Sequence, residues 1–529
     1  MSFFDLIIRG ATIVDGFSTA RYQGDVAVAD GKIQAVEYHL SGASAKKEID
    51  AKGLILAPGF IDVHGHSEYS LPANPKAESK IFQGITTEIC GNCGFSAAPL
   101  LGDALYEETS RIRAEYGIEI SWTTFNGFLE YLSQKPLTLN IGSLVGHGML
   151  RGSIIGYYNR RAASQELLSM KKMLEEALDE GAFGFSTGLI YVPSSFGDID
   201  EIRAIAEIMA KKGGVYTSHI RGEGETVFQA VLEALTIGKR ASVPVQVSHL
   251  KVGKVHWGKA QKLLDFFEKA RQDGVDATCD QYPYTASCTS LSAALPLWAR
   301  EGTDTQMKDR LCDLKVKKQV IEEVNESFKR NYDDILLSSI PQGVFKSYQG
   351  KYINELASVL HKTPGELIFD MVAHVGGDAS AIYFSMQEDD LSCIMRWHHT
   401  FVATDAEARP FLGVLAGGYP HPRTYGTYPR VLGRYVREKR VLSLEEAVKK
   451  MTSLPAEKFN IKGRGVIKNG TWADLVLFDF NEITDQASYE QPKRPSLGVC
   501  NVWVNGEEVV KGTSLTCKTP GRVLRRGLL

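Results

Sequence analysis

The sequence predicts an α/β fold, a TIM (β/α)8 barrel with a small β-sandwich domain built from both chain ends. The first observation is the length, because 529 residues accommodate one large barrel and one smaller domain. The second is the alternation of short β-rich runs with amphipathic helical stretches, which is typical of a parallel sheet with crossover helices. The third is the presence of strand-like runs and tight turns at both ends of the chain.

Each end of the chain carries a hairpin signal. Asp30-Gly31 near the N-terminus and Asn505-Gly506 near the C-terminus are tight-turn dipeptides flanked by short apolar runs. The similar patterns indicate that the two ends pair in one β unit. The predicted domains are a β-sandwich made of residues 1–57 and 455–529 and a barrel made of residues 58–454.

Eight runs in the middle of the chain have the length and apolar character of parallel strands. They end near Val63, Cys90, Leu144, Phe185, Tyr216, Val247, Cys279 and Val402. Eight is the closure number of a TIM barrel, in which the loops after the strands carry the active site. The last two runs lie too far apart for one crossover helix. We therefore expect an insertion near residues 286–397 between strands 7 and 8, and it is a candidate lid.

The composition excludes several classes of protein. With 43% hydrophobic and 23% charged residues, the chain has the balance of a globular protein. Its net charge of −3 offers no basic excess to nucleic acid, and no apolar run reaches the roughly 18 residues of a membrane span. The first residues resemble a strand rather than a signal peptide, and the eight cysteines are dispersed. We expect a cytoplasmic protein with no nucleic-acid or membrane partner.

Histidines and one aspartate stand where predicted strands end. His64 and His66 end the first strand, and both imidazoles point the same way because residues at i and i+2 share one face. His219 ends the fifth strand, His249 the sixth and Asp405 the eighth. A lone histidine is most often structural, but these side chains belong to the same end of one barrel. Imidazole and carboxylate groups gathered there predict a metal site.

Cys93 follows the second predicted strand and has two possible roles. It lies between Asn92 and Gly94 in a glycine-flanked loop, where its thiolate would suit zinc. It is equally compatible with a small buried residue beside Cys90, because free cysteines are commonly buried. The residues alone do not choose between these roles.

Several ordered segments resemble those of one known family. They are Pro58-Gly-Phe-Ile-Asp-Val-His-Gly-His, Gly84-Ile-Thr-Thr-Glu-Ile-Cys-Gly-Asn-Cys-Gly, Gly188-Leu-Ile-Tyr-Val-Pro, Ser218-His-Ile-Arg, Ser248-His-Leu-Lys, Tyr282-Pro-Tyr, His421-Pro-Arg and Gly521-Arg-Val-Leu-Arg-Arg. Across nearly its whole length the chain resembles the amidohydrolase superfamily and, within it, the N-acyl-D-amino-acid deacylase (D-aminoacylase) family. It departs at Gly65, where relatives often have Thr, at Leu250, where a second His is common, and at Ala406, where Gly is common.

The resemblance implies a zinc-dependent enzyme that acts on a small-molecule substrate. Its reaction would be hydrolysis of the amide bond of N-acyl-D-amino acids, which releases a carboxylate and a free D-amino acid. A tight zinc would be held by the residues that match Cys93, His219 and His249. The residues that match His64, His66 and Asp405 would form a second, weaker half of the site.

The same resemblance implies roles in catalysis and substrate binding. Asp405 would take a proton from the attacking water and deliver it to the leaving amine, because an amine anion cannot depart unprotonated; the alternative role is a helix N-cap. Lys251, Arg423 and the hydroxyl of Tyr282 match substrate-binding positions, and Arg423 has the geometry to bind both carboxylate oxygens. Tyr191 is a further candidate for lining the pocket. For these residues the alternative is a solvated charge or a packed aromatic ring.

Two other functions stay open. A cyclic amidase of the hydantoinase or dihydroorotase kind would share the fold. Such enzymes usually bridge two metals with a carboxylated lysine on the fourth strand, and residues 181–191 contain no lysine. A non-catalytic scaffold would be expected to lose ligands, whereas all six implied ligands are present. The sequence therefore favours the hydrolase of linear amides.

Overall fold

A computed structural model describes residues 3–341 and 343–528. Its strands, in chain order, are β1 (Phe3–Ile13), β2 (Tyr22–Ala29), β3 (Lys32–Glu37), β4 (Ser44–Asp50), β5 (Ile55–Pro58), β6 (Phe60–Asp62), β7 (Ile85–Cys90), β8 (Asn140–Ser143), β9 (Val145–Gly146), β10 (Gly184–Gly188), β11 (Val215–His219), β12 (Val245–Val247), β13 (Ala277–Gln281), β14 (Ala286–Ser290), β15 (Asp334–Ser339), β16 (Ser380–Phe384), β17 (Thr400–Val402), β18 (Leu475–Phe478), β19 (Val499–Val504), β20 (Glu507–Lys511) and β21 (Ser514–Leu515).

The α-helices, in the same order, are α1 (Ser70–Ala73), α2 (Glu78–Ile81), α3 (Gly102–Tyr116), α4 (Phe125–Ser133), α5 (His147–Ile154), α6 (Ser164–Asp179), α7 (Ile199–Lys212), α8 (Val227–Ala241), α9 (Ala260–Gln272), α10 (Asp304–Leu311), α11 (Leu314–Asn331), α12 (Ile353–Leu360), α13 (Pro364–Val375), α14 (Glu388–Arg396), α15 (Arg423–Arg430), α16 (Leu444–Met451) and α17 (Ser453–Lys458). Within the described ranges, no helix combines the length and apolar character needed to cross a bilayer.

The two ends of the chain meet in one sheet. Its hydrogen-bonded order is β21-β20-β19-β18-β5-β1-β2-β3, and β4 pairs with β1. The ends join through the antiparallel pair of β5 and β18, in which Leu56 opposes Leu477. Ile8, Leu56 and Trp503 belong to one apolar cluster that draws on both ends. The predicted pairing of the ends is present, whereas a separate β-sandwich domain stays a prediction.

Parallel strands occupy eight successive positions in the middle of the described chain, close to the predicted ends. Six strands lie in the order β17-β13-β12-β11-β10-β9 and three in the order β6-β7-β8. Only Leu144 separates β8 from β9, so these two share one position. Between β17 and β6, which are three residues each, the pairing is one bridge from Gly65 to Ala406. The α/β architecture is as predicted, but the ladder does not close in full, and a closed TIM barrel stays a prediction.

These strands are buried, so polar groups at their ends indicate a site where such groups find partners. Every residue of β7, β10 and β11 is buried, as expected for parallel strands that are covered on both faces. The covering helices are amphipathic, and α9 buries Leu263, Phe267 and Ala270 at helical spacing. Polar side chains inside such a layer need partners there, because water does not reach them.

An inserted unit follows β13. Its antiparallel sheet has the order β14-β16-β15, and an apolar cluster that includes Leu291, Phe328 and Ile368 lies between this sheet and the helices α10 to α13. α14 then returns to pack against α9. The strand β14 of this unit borders the cavity described next.

Candidate metal centre and substrate cavity

A cavity of about 270 Å³ lies at the carboxyl ends of the parallel strands. It is lined by all four predicted substrate-binding residues, Tyr191, Lys251, Tyr282 and Arg423, and by five of the six predicted ligands, His66, Cys93, His219, His249 and Asp405. The sixth, His64, is fully buried beside them. The strand-end positions therefore converge on one cavity.

The backbone is strained at three of these side chains. Cys93, His249 and Asp405 have φ values of 55°, 36° and 49°, in the left-handed region that residues other than glycine rarely adopt. Such strain persists where the surrounding structure determines it, and it clusters at functional sites. At Asp405 the surrounding structure includes the N–H donated to the His64 carbonyl at 2.9 Å, which ties the end of β17 to the end of β6.

One group of possible ligand atoms spans the first, second, sixth and eighth strand ends. His64, Cys93, His249 and Asp405 each offer an atom within 4.8 Å of the others. His64 Nε2 lies 3.2 Å from Cys93 Sγ and 3.4 Å from Asp405 Oδ1. Cys93 Sγ lies 3.6 Å from His249 Nε2. His66 is outside this group, but its Nε2 lies 3.1 Å from Asp405 Oδ1.

A second group shares His249 with the first. It consists of His219, Glu223 and His249. His219 Nδ1 lies 2.8 Å from His249 Nε2, and His219 Nε2 lies 3.8 Å from Glu223 Oε1. The predicted tight trio of Cys93, His219 and His249 is thus distributed over the two groups, with His249 between them. The assignment of each side chain to a tight or a weak half stays a prediction.

Asp280 is a site residue that the sequence analysis missed. Its carboxylate lies 3.0 Å and 3.2 Å from His64 Nδ1 and accepts the N–H of His249 at 2.8 Å. It also accepts from Gln246 Nε2 at 2.6 Å. One carboxylate therefore orients two ligand candidates, as the partners of metal-binding histidines commonly do. The available signal was a carboxylate directly after Cys279, near which the seventh predicted strand ends.

Glu223 is the second residue that the sequence analysis missed. It lies in the loop after β11, four residues beyond His219, and that spacing was the available signal. Its Oε1 lies 3.0 Å from His249 Nδ1 and forms a close ion pair with Lys251. Burial opposes ionisation of Glu223, but Lys251, His219 and His249 hold its pKa well below the ordinary value.

The charges of the cluster favour the ionised forms of the Cys93 and Asp405 side chains. Burial opposes ionisation of the Cys93 thiol, but the charge of His64 and hydrogen bonds from His219 and His249 hold its pKa well below the usual range. Burial likewise opposes ionisation of Asp405, yet Arg423, His249 and His64 keep its pKa low. Thiolate and carboxylate charge gathered among imidazoles is the environment that a bound cation requires.

The predicted substrate-binding residues surround the same centre. Arg423 Nη1 lies 2.7 Å from Asp405 Oδ2, and its guanidinium stacks 4.6 Å from the Tyr282 ring centre. The Tyr282 hydroxyl is buried and has no hydrogen-bond partner within the described residues. Tyr191 packs edge-on against the His219 ring at 4.9 Å. These residues are positioned to contact a molecule that is bound at the metal centre.

A buried lysine ties the end of β6 to the segment after β17. Lys80 Nζ donates to Asp62 at 2.7 Å, and to Thr404 Oγ1 and the Ala406 carbonyl at 2.8 Å each. Thr404 and Ala406 flank Asp405, so Lys80 holds the Thr404 side chain on one side of that aspartate and the Ala406 backbone on the other. Glu88 on β7 lies 3.5 Å from Lys80, and burial raises its pKa to about 7. The sequence analysis did not include this network.

Residues 47–284 and 418–510 match the model described as the Amidohydrolase family. The chain belongs to this family. This amidohydrolase is 33% identical over 532 residues to D-aminoacylase of Alcaligenes xylosoxydans xylosoxydans, a match that covers 99% of this chain and 98% of that protein. It is also 33% identical over 533 residues to N-acyl-D-glutamate deacylase of the same organism, covering 99% and 96% of the two chains. The predicted family resemblance is confirmed.

Solved structures extend the similarity to the fold. The structure of N-acyl-D-glutamate deacylase from Bordetella bronchiseptica, complexed with zinc and a phosphonate inhibitor, has a TM-score of 0.85 at 33% identity and covers 99% of this chain and 100% of that one. A D-hydantoinase structure has a TM-score of 0.55 at 17% identity, covering 99% of each chain. The second likeness concerns the fold alone, so this amidohydrolase is far more similar to the deacylases.

Proposed function

We propose that this amidohydrolase is a zinc-dependent enzyme that hydrolyses the amide bond of N-acyl-D-amino acids, releasing a carboxylate and a free D-amino acid. The observation that carries the proposal is one cavity in which Cys93, His219, His249 and Asp405 converge beside Lys251 and Arg423. It occurs in a chain that is similar over 99% of its length to D-aminoacylase. Family similarity and cavity chemistry therefore point to the same reaction.

The side chains of the cluster fit zinc. Thiolate sulfur and imidazole nitrogen are the ligands that zinc prefers, and both are present at contact distances. His219 Nε2 is buried and lacks a hydrogen-bond partner among the described residues, as expected of a nitrogen that serves an ion. Cys93, His219 and His249 would hold the tight zinc. His64, His66 and Asp405 would form the second, weaker half.

Zinc supplies Lewis acidity, which polarises an amide carbonyl and lowers the pKa of water toward about 7. Asp405 would hold and move the proton. Arg423 and two histidines keep its carboxylate ionised, and in that form it would accept a proton from the attacking water. The protonated Asp405 would then donate to the amine nitrogen as the carbon–nitrogen bond breaks. Its fixed backbone keeps the carboxylate in reach of both atoms.

The free carboxylate of the substrate would be bound beside Asp405, where Arg423 lies. Arg423 presents a planar guanidinium, and Lys251 adds a second positive charge next to His249. The buried hydroxyl of Tyr282 can donate to the same carboxylate, which would satisfy an otherwise unpaired group. Tyr191 would line the pocket beside His219. These contacts hold the amide near Asp405.

The proposal includes the architecture and setting that the sequence predicts. We propose a (β/α)8 barrel over residues 58–454 with an insertion near 286–397, and a β-sandwich from 1–57 and 455–529. Its support is the eight strand positions, the contact between β17 and β6, and the sheet shared by both ends. The eight cysteines are free thiols, which is compatible with a reducing cytoplasm.

The D and L enantiomers of one substrate test the proposal. The purified, zinc-loaded protein should hydrolyse N-acetyl-D-methionine and leave N-acetyl-L-methionine and a 5-substituted hydantoin nearly untouched. Ninhydrin detects the free amine released from the amides, and chromatography detects the N-carbamoyl amino acid that ring opening of the hydantoin would give. Rapid turnover of the L enantiomer would contradict the stereochemical assignment. Turnover of the hydantoin alone would favour the cyclic amidase, and no turnover of any amide would favour the scaffold.

A further inference from the structure

The cavity offers a substrate only two cations other than histidine. Among the described residues that line it, the lysine and arginine side chains are Lys251 and Arg423. Each already forms an ion pair, Lys251 with Glu223 and Arg423 with Asp405. The α-carboxylate that every N-acyl amino acid carries would therefore share both cations with protein carboxylates. A second substrate carboxylate would find no unpaired cation on the cavity wall.

Apart from the ion-paired residues and the proposed metal ligands, the cavity lining is uncharged. Strand β14 contributes Ser287, Cys288, Thr289 and Ser290, and Tyr191 and Phe95 also line the cavity. The Tyr191 hydroxyl lies 2.8 Å from Thr289 Oγ1, so Tyr191 and β14 form one continuous wall. The rings of Phe95 and Tyr191 lie 5.4 Å apart, and Phe95 remains 40% exposed. Small neutral groups and aromatic rings thus form this part of the cavity.

This uncharged wall adjoins the reacting atoms. Tyr191 packs against His219 at 4.9 Å between ring centres, which places the wall beside the proposed zinc ligands. A substrate that is anchored at Arg423 and has its amide near Asp405 would direct its side chain toward this wall. Burying an unpaired carboxylate there, near Glu223 and Asp405, is unfavourable because desolvation and like charge act together.

We propose that this cavity selects N-acyl-D-amino acids with uncharged side chains, from aliphatic to aromatic, and disfavours those with acidic side chains. The inference rests on the proposed function and deepens it. It separates this chain from similar proteins that are described as deacylases of N-acyl-D-glutamate and N-acyl-D-aspartate. The wall residues of β14, with Tyr191 and Phe95, would be the determinants of specificity.

Arg300 is the neighbouring cation that could act against this selection. It lies in the inserted unit, its Nη1 donates to the Ile190 carbonyl at 2.9 Å, and its buried Nε has no hydrogen-bond partner among the described residues. It adjoins Tyr191 in this way but is not among the residues that line the cavity. Its contribution can therefore be measured separately from that of the wall.

The decisive comparison uses N-acetyl-D-glutamine and N-acetyl-D-glutamate, which have the same size and differ in side-chain charge. At neutral pH, kcat/KM for the glutamine substrate should exceed that for the glutamate substrate on the order of a hundredfold. Arg300→Met should leave this ratio unchanged. A wild-type ratio of one or less would overturn the inference, and loss of glutamate turnover in Arg300→Met would then identify Arg300 as the anchor.

A charge introduced in the wall provides the reverse test. Thr289→Arg should raise kcat/KM for the glutamate substrate relative to the glutamine substrate by about tenfold, because it supplies the missing cation. Thr289→Met, which adds bulk without charge, is the matched control and should leave the ratio near the wild-type value. Equal ratios in both variants would contradict charge as the basis of selection. If neither D substrate nor N-acetyl-D-methionine is hydrolysed, the proposed function itself fails.

Discussion

Gly65 lies between the two histidines of the first strand end, and replacing it with alanine is expected to disturb both. A Cβ added at Gly65 would lie 1.8 Å from Glu88 Oε1, 2.3 Å from Cδ and 2.5 Å from Cγ. Because Cγ is included, the whole Glu88 side chain must move rather than its end alone. Gly65 does not have a left-handed backbone, so alanine meets a steric penalty and no conformational one.

The size of this effect follows from the burial of Glu88. Both carboxylate oxygens are inaccessible to solvent, and Lys80 is 3.5 Å away, so a displaced side chain disturbs the network beneath the site. Overpacking of this kind costs about 1–3 kcal/mol. Movement of His64 or His66 by about 1 Å can cost roughly a hundredfold in rate. We expect Gly65→Ala to lower kcat/KM about ten- to a hundredfold and to lower the apparent unfolding temperature.

A double-mutant cycle separates this overlap from other causes. Glu88→Ala removes all three overlapping atoms, so Gly65→Ala should have little further effect in that background. The two positions should therefore show a coupling of about 1–3 kcal/mol, measured from kcat/KM and from thermal unfolding of all four proteins. An effect of Gly65→Ala that is equally large with and without Glu88→Ala would refute the reasoning, as would a fully active Gly65→Ala single variant.

Three further variants test the roles of the carboxylates Asp280 and Asp405 and of the Arg423 guanidinium. Asp280→Asn should weaken zinc binding about 10–100-fold in chelator competition, because one carboxylate holds both His64 and His249; unchanged affinity would contradict that role. Asp405→Asn should retain the tight zinc while kcat falls by roughly two to four orders of magnitude, since asparagine cannot carry the proton. Joint loss of zinc and activity would instead make Asp405 a primary ligand. Arg423→Ala should raise KM for a free carboxylate more than for its methyl ester, and equal increases would argue against a carboxylate anchor.

Most of the candidate site residues could be predicted because they lie at the ends of predicted strands. His219 and His249 are 30 residues apart, and the structure places their ring nitrogens 2.8 Å from each other. This could be predicted because consecutive parallel strands end at the same edge of a sheet. The role of Cys93 was open on local pattern alone, and it was the family resemblance, since confirmed, that favoured the thiolate. Its short distance to His249 agrees with that choice.

Long-range packing accounts for what could not be predicted. Lys80 bonds to Thr404, which is 324 residues away, and no local periodicity encodes such a partner. Asp280 lies 216 residues from His64, and its place after the seventh predicted strand does not specify that partner. The large spacing between strands 7 and 8 predicts an insertion, but the order β14-β16-β15 depends on pairing that spacing does not specify. Incomplete ladder closure likewise reflects the shortness of β6 and β17.

The zinc content and activity of matched cysteine variants test the central claim most directly. Cys93→Ala removes a proposed ligand, whereas Cys90→Ala changes a buried cysteine of the same segment whose thiol contacts the Gly142 carbonyl at 3.3 Å. Zinc per chain and N-acetyl-D-methionine turnover should be measured on the same preparations. We predict that the wild type and Cys90→Ala retain tight zinc and turnover and that Cys93→Ala loses both. Full zinc occupancy and turnover in Cys93→Ala would contradict the claim.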